Sequence, residues 1–210
     1  MKKILRIIPF ILFLFCFTSC VDYVQSISYK DGKYHLYYKV TLSKMLFEMS
    51  NDEPEDLFED FNDDVIEDLP ESLDYNTVDT ELEYGAEFSI DINPRTKNEE
   101  ERDLLPKISG DTCFIPFLLG EDNAVSDSFD AGNSDGEAIA QAVLSSAKCR
   151  VLIGKNLIPL IEKAYFEGWR GINYTIPVYD YGESYCLEIP FIVIMDDRNY
   201  RTDKIVVIKG

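Results

Sequence analysis

The chain has 210 residues, of which 39 are acidic and 20 are basic, so its formal net charge at pH 7 is −19. Binding to nucleic-acid phosphates requires basic patches, and this acidic composition argues against nucleic acid as a partner. Hydrophobic residues make up 46% of the chain, which is enough apolar material for a folded core.

The first twenty residues have the three-part layout of an export signal. A basic start is followed by an apolar run over residues 7–17, and the segment ends in Phe17-Thr18-Ser19-Cys20. The run is interrupted by Pro9 and is shorter than the roughly 20 apolar residues that a membrane span needs. An ordinary secretory cleavage site would require a small residue where Phe17 stands. The segment therefore resembles a bacterial lipoprotein signal.

This resemblance implies that residues 1–19 are a signal peptide and that Cys20 is the lipidation site. The match departs from the usual pattern at Phe17, where leucine is commonest. Cys16 is excluded because the large Phe15 precedes it. The implied location is the bacterial cell envelope, with membrane lipid as a partner through acylated Cys20 and with envelope proteins as further candidate partners. The resemblance leaves the membrane leaflet open.

Residues 20–210 are predicted to form a single domain. Removal of the signal takes away three basic residues and leaves 39 acidic against 17 basic ones, a net charge of −22. Anionic lipid headgroups would repel such a body. Cys113, Cys149 and Cys186 are then the only cysteines besides Cys20, and their spacing leaves open whether two of them pair or all three are buried thiols.

A β-hairpin is predicted directly after Cys20. Alternating residues from position 21 indicate one strand, and Asp31-Gly32 is a strong two-residue turn signal because that turn requires positive φ angles. On the return strand, Leu36 and Tyr38 lie on one face and His35 lies on the opposite face. The chain's single histidine is therefore expected to point at solvent.

Two helices are predicted next, a short one after Ser43 and an acidic one over residues 54–69. In the second helix apolar residues recur at helical spacing and acidic residues fill the opposite face. That face could trap cations, but charges opposite an apolar stripe are what a solvated surface helix requires.

The clearest strand covers residues 82–92, where apolar and polar residues alternate without error until Asn93-Pro94. Such alternation is typical of an antiparallel sheet with one wet face. Residues 113–119 form a second, mostly apolar strand, and Pro116 suggests that this strand lies at an edge.

An acidic loop is predicted over residues 120–136. Residues 133–136 copy the middle of an EF-hand loop, but Ala131 and Ala142 stand at the first and last ligand positions. A regular EF-hand is excluded, and an irregular calcium site remains an alternative to a solvated loop. Ser134 or Asp135 caps a predicted helix that contains residues 138–143.

The last third of the chain is predicted to contain a strand over 149–153 and a helix over 157–166. A hairpin over 172–195 and a closing strand over 205–208 follow. Together these elements predict an α+β fold, an antiparallel β-sheet with helices mainly on one face.

No motif predicts catalysis, and we expect no cofactor, no metal ligand set and no catalytic residue. A histidine-based triad needs an imidazole beside a nucleophile, and His35 is the single candidate. Zinc sites need several histidines or cysteines, and the chain contains no Cys-x-x-Cys. The sequence thus predicts a non-catalytic structural or protein-binding lipoprotein. The alternatives are a calcium-dependent ligand-binding module and a carboxylate-based envelope hydrolase.

Overall fold

Twelve strands and two short helices form the part of the chain that the computed structural model describes, residues 21–45, 72–118, 147–194 and 199–210. The strands are β1 Val21–Lys30, β2 Lys33–Ser43, β3 Asp74–Asp79, β4 Glu83–Ile92, β5 Lys107–Ser109, β6 Thr112–Pro116, β7 Lys148–Gly154, β8 Ile161–Gly168, β9 Tyr174–Ile176, β10 Val178–Asp180, β11 Ser184–Pro190 and β12 Tyr200–Lys209. The helices are α1 Glu99–Asp103 and α2 Phe191–Ile194.

The strands form two sheets. Sheet A has seven strands in the order β10-β11-β7-β1-β2-β4-β3, and sheet B has five in the order β5-β6-β12-β8-β9. Neighbouring strands are antiparallel throughout, except that β1 and β7 run parallel at the centre of sheet A.

The sheets pack face to face around one apolar core that contains residues of both. The Tyr23 ring of β1 lies 5.6 Å from the Phe117 ring, which follows β6. Beside this contact, the fully buried Gln25 donates from Nε2 to the Pro116 carbonyl oxygen at 2.7 Å and accepts from the Tyr23 hydroxyl at 3.2 Å. A buried amide is stable only when hydrogen-bonded, so Gln25 fixes how the two sheets sit on each other.

The two ends of the sandwich are named here after the first and last residues of β1. At the Val21 end of sheet A, β2 ends and β7 begins, because Val21 pairs with Leu42 and Asp22 pairs with Lys148. Strand β11 ends there too, because its last residue, Pro190, pairs with Lys148. At the same end of sheet B, Phe117 donates its amide to the Asp203 carbonyl oxygen at 2.9 Å, and the first residue of β12 pairs with the last residue of β8. The β1–β2 turn and the β10–β11 turn lie at the opposite, Lys30 end.

The predicted α+β fold with helices on one face is wrong. Strands hold 63% of the described residues and helices 9%, so the fold is β-rich. The predicted helix over 157–166 is instead strand β8, because its backbone pairs with β12 on one side and β9 on the other. The predicted helices over 54–69 and 138–143 and most of the helix after Ser43 lie outside the described residues.

The first hairpin is confirmed, and the long strand is confirmed over residues 83–92. Leu82, which was predicted to belong to that strand, precedes it and is 75% exposed. Asp31 and Gly32 have φ angles of 52° and 81°, and Lys30 pairs with Lys33 across the turn. In β4, Phe88 and alternate residues on either side of it are buried. The prediction of an edge position for Pro116 is wrong, because β6 lies between β5 and β12. Pro116 is tolerated there because the pairing with β5 stops before it is reached.

Candidate functional site

The first strand begins directly after the predicted lipidation site, Cys20. Cys20 lies outside the described residues, and its lipidation stays a prediction. The residue bonded to it, Val21, is 8% exposed and already pairs with Leu42 of β2. The predicted strand directly after Cys20 is confirmed. Any group on Cys20 is therefore one residue from the folded body, at the fourth of the seven strands in sheet A. In the described ranges neither helix is long and apolar enough to cross a membrane.

The outer face of sheet A is polar and carries cross-strand ion pairs. It consists of Asp22, Val24, Ser26 and Ser28 of β1 together with their cross-strand neighbours. Asp22 accepts a hydrogen bond from the Arg150 guanidinium, which raises the pKa of Arg150. Lys39 Nζ lies 3.0 Å from a Glu83 carboxylate oxygen, and Lys148 Nζ lies 3.1 Å from Glu188, which raises the pKa of Lys148. Exposed pairs of this kind contribute up to about 1 kcal/mol each.

A shallow, half-open groove of about 270 Å³ lies on this face towards the Lys30 end. Gly154 is required there, because a Cβ atom would lie 2.5 Å from Asn156 Oδ1 and 2.8 Å from Ser28 Cβ. Asn156 is held over the groove, since its Oδ1 accepts from the Tyr29 amide at 3.2 Å. Five of the seven lining residues carry a hydroxyl, amide or carboxylate group, which could form hydrogen bonds to a polar group. The lining residues are Ser26, Ser28, Leu152, Gly154, Asn156, Glu183 and Ser184.

His35 lies on the outer face of sheet A, so the face predicted for it is confirmed. Its Nδ1 lies 2.5 Å from Asp91 Oδ1, and its Nε2 lies 3.2 Å from the Lys30 carbonyl oxygen. Ser28 is its cross-strand neighbour, but both ring nitrogens already face oxygen acceptors. His35 is therefore not arranged to take a proton from Ser28. The contact with Asp91 was not predicted, because it follows from the β2–β4 register, which pairs these two residues directly.

The three cysteines Cys113, Cys149 and Cys186 are free thiols, and each is completely buried. Burial raises the pKa of the Cys113 thiol to about 11 and raises that of Cys149 well above its usual range. Protonated thiols without access to solvent are poor nucleophiles and poor metal ligands. The alternative left open by the sequence is thus resolved as three buried apolar groups.

The aromatic residues Tyr37, Trp169 and Tyr181 do not form one exposed patch. Trp169 is exposed at the Val21 end, in the loop after β8, and Tyr181 is exposed at the Lys30 end, in the β10–β11 turn. Tyr37 is half-buried on the outer face of sheet A and donates to Glu87 at 2.8 Å.

Among the described residues, no three histidine, cysteine, aspartate or glutamate side chains converge as a metal site. The acidic loop over 120–136 lies outside them, so the calcium site stays an untested alternative. No protein-family model, curated protein or solved structure matches the chain. The chemistry of its own residues is therefore the basis for a function.

Proposed function

We propose that the chain is a lipoprotein of the bacterial cell envelope, held to a membrane through acylated Cys20, and that its β-sandwich acts by binding an envelope protein. The observation that carries the anchor is the junction at Cys20. A signal-like segment ends at this residue, and sheet A begins at the next one. A cysteine in that place puts acyl chains directly beneath the folded body.

Lipidation would supply all of the membrane affinity that the anchor needs. Each acyl methylene buried in a bilayer contributes about 0.8 kcal/mol, so several chains on one cysteine hold the protein nearly permanently. The net charge of −22 after signal removal then keeps the body from binding anionic headgroups nonspecifically.

Two arrangements favour binding over catalysis. Both nitrogens of His35 face acceptor oxygens. His35 is the chain's single histidine, so no other imidazole could act as a base for its neighbour Ser28. The thiols of Cys113, Cys149 and Cys186 are fully buried, with pKa values raised by that burial. Among the described residues, Ser28 thus has no imidazole arranged to activate it, and the three thiols are inaccessible.

The surface best placed for a protein partner lies towards the Lys30 end, away from Cys20. Tyr181 is 60% exposed there and Tyr179 is 44% exposed. Tyr179 pairs with Cys186, which in turn pairs with Leu152 of the groove, so the tyrosines adjoin the groove's hydroxyl groups. Tyrosines beside hydrogen-bonding groups are typical of protein-binding surfaces.

The anchor is tested by detergent partitioning and acyl labelling of Cys20→Ala, with Cys16→Ala as the matched control. We expect Cys20→Ala to give an unprocessed or unlabelled protein and Cys16→Ala to behave as the parent chain does. A Cys20→Ala protein that is still processed, labelled and recovered in the detergent phase would show that the anchor is misassigned.

The binding surface is tested by photo-crosslinking in intact cells. A crosslinking residue at position 181 should give a discrete protein adduct, and one at Ile108, which is 49% exposed at the same end of sheet B, should not. The same pattern of adducts at both positions, or none at position 181, would contradict the assignment.

A further inference from the structure

Exposed apolar side chains gather at the Val21 end of the sandwich. Nine large hydrophobic side chains are exposed among the described residues, and five of them lie at this end. We call these five the apolar rim. They are Met45 at 47% exposure, Leu82 at 75%, Trp169 at 57%, Ile172 at 74% and Ile192 at 57%.

Hydrogen bonds place four of the five members of the rim. The Lys44 amide donates to the Leu82 carbonyl oxygen at 2.8 Å, which brings Met45 beside the β3–β4 turn. Ile192 belongs to α2, whose first amide donates to Ala147, the residue before β7, at 3.0 Å. The Trp169 amide donates to the Asn199 carbonyl oxygen at 3.0 Å, which ties the β8–β9 loop to the start of β12.

Two members of the rim flank Val21, the residue after Cys20, and the other three lie at the same end of the sandwich. In sheet A, β11 and β4 each lie two strands from β1, on opposite sides. With strands about 4.8 Å apart, Ile192 and Leu82 flank Val21 at distances on the order of 10 Å. Cys20 Cα is about 3.8 Å from Val21 Cα. Acyl chains on Cys20 would thus bring the whole rim to the surface of the bilayer that receives them.

The β8–β9 loop is built as a rigid tip. The Gly171 amide donates to the Gly168 carbonyl oxygen at 2.9 Å, and Gly171 has a φ of +76°. A Cβ atom on Gly168 would lie 1.9 Å from the Ile172 carbonyl oxygen, so the loop closes only with glycine at that position. Trp169 and Ile172 are held on a closed loop and not on a loose segment.

The chemistry of this tip suits a lipid interface. The Arg201 guanidinium lies 4.3 Å from the centroid of the Trp169 ring, and Arg170 follows in the chain. Tryptophan rings favour the headgroup level of a bilayer, and arginine side chains reach lipid phosphates from there. Ile172 would enter the outer part of the hydrocarbon layer, below the headgroups.

We propose that the apolar rim docks on the bilayer that holds the acyl chains of Cys20, so that the sandwich stands on its Val21 end. This proposal rests on the lipid anchor proposed above, and its occupant is the bilayer itself. The docked orientation turns the groove and Tyr181 away from the membrane, where an envelope protein can reach them.

Trp169 is the chain's single tryptophan and therefore an internal probe. The acylated protein is reconstituted in phosphatidylcholine vesicles, with and without lipids brominated near the headgroup. We expect the brominated lipid to quench Trp169 fluorescence at least twofold. Ile172→Asp should cut that quenching by more than half. Leu160→Asp is the control, since Leu160 is 54% exposed at the Lys30 end, and it should leave quenching unchanged. Near-ultraviolet circular dichroism checks that both variants fold.

Equal fluorescence in the two kinds of vesicle, with the protein still vesicle-bound, would overturn docking and leave the anchor intact. If the isolated protein carries no acyl group, the anchor itself fails. Docking is then judged by adding vesicles to that protein at increasing lipid concentration. Quenching that rises with lipid and disappears in Ile172→Asp supports the rim, and no quenching at any concentration overturns it.

Discussion

The outer faces of the two sheets differ along their middle strands, β1 and β12. On sheet A, strands present alternating polar residues whose charges pair across strands, as with Lys39 and Glu83. On sheet B, Phe114 and Tyr165 flank Val206 of β12 from either side, and Val206 is 1% exposed although its neighbour Val207 already faces the core. A side chain can thus be dry without facing the second sheet, because neighbouring strands cover it.

The largest expected effect contrasts the two faces of β4. Phe88 is 5% exposed and stacks on the Tyr38 ring at 5.0 Å, so Phe88→Asp forces a carboxyl group into the core and should cost several kcal/mol of unfolding free energy. Glu87→Lys, one residue away on the outer face, should cost about 1 kcal/mol or less. Urea unfolding measures both, and equal midpoints would refute the face assignment.

A second experiment compares one valine on each outer face. Val206→Ala should lower the unfolding free energy by roughly 1–3 kcal/mol, because removing the two methyl groups leaves a cavity between Phe114 and Tyr165 that water does not fill. Val24→Ala on sheet A should cost under about 1 kcal/mol, since Val24 is only partly buried beside Lys39 and Arg150. Denaturant midpoints decide. Equal losses would mean that the middle of the outer face of sheet B is not dry.

A smaller effect is expected at His35. The side chain is 36% exposed, and its ion pair with Asp91 is exposed too, so His35→Gln should change stability by no more than about 0.5 kcal/mol. Asp91→Asn, as the matched variant, should do the same. Loss of the activity that complements a deletion, in a His35→Gln protein with a normal unfolding midpoint, would contradict a purely surface role and favour catalysis.

The smallest effect concerns the phenol of Tyr37. Burial, and then the hydrogen bond to the Glu87 carboxylate, raises the pKa of Tyr37 to about 12. The folded pKa lies above the unfolded value of about 10, so the associated stability is complete below pH 10 and is lost as pH rises towards 12. Glu87→Gln should lower the pKa of Tyr37, which carbon NMR of labelled tyrosine measures. An unchanged pKa of Tyr37 would mean that Glu87 does not contribute to the shift.

The parts of the fold that could be predicted are those encoded within a few residues. Asp31-Gly32 specifies the first turn, and β4 alternates so regularly that its inner face follows from the sequence alone. The structure of residues 157–166 is not encoded locally, because Ile161, Ala164 and Phe166 fit helical and strand spacing about equally well. Their strand conformation is decided by pairing with β12, some forty residues later, which no local pattern reveals.

The candidate site divides in the same way. The strand that begins at Val21 and the solvent-facing side of His35 could be predicted, since each depends on local alternation. The apolar rim could not, because Leu82 and Ile172 are ninety residues apart and meet at one end only through the order of the strands. The sequence places both in predicted strands, Leu82 in the strand over 82–92 and Ile172 in the hairpin over 172–195, so neither is expected to be exposed at a loop.

The parallel pairing of β1 with β7 affects how the chain can fold while it is being synthesised. A chain made from its N-terminus produces β1 more than a hundred residues before β7, so one edge of β1 lacks its final partner while synthesis continues. The middle strand of sheet B, β12, comes later still. Native contacts that close such long loops form slowly, and open strand edges invite aggregation meanwhile. We therefore expect the nascent chain to depend on a holding chaperone until β12 has been made, and truncation before Tyr200 to leave both sheets unable to close on each other.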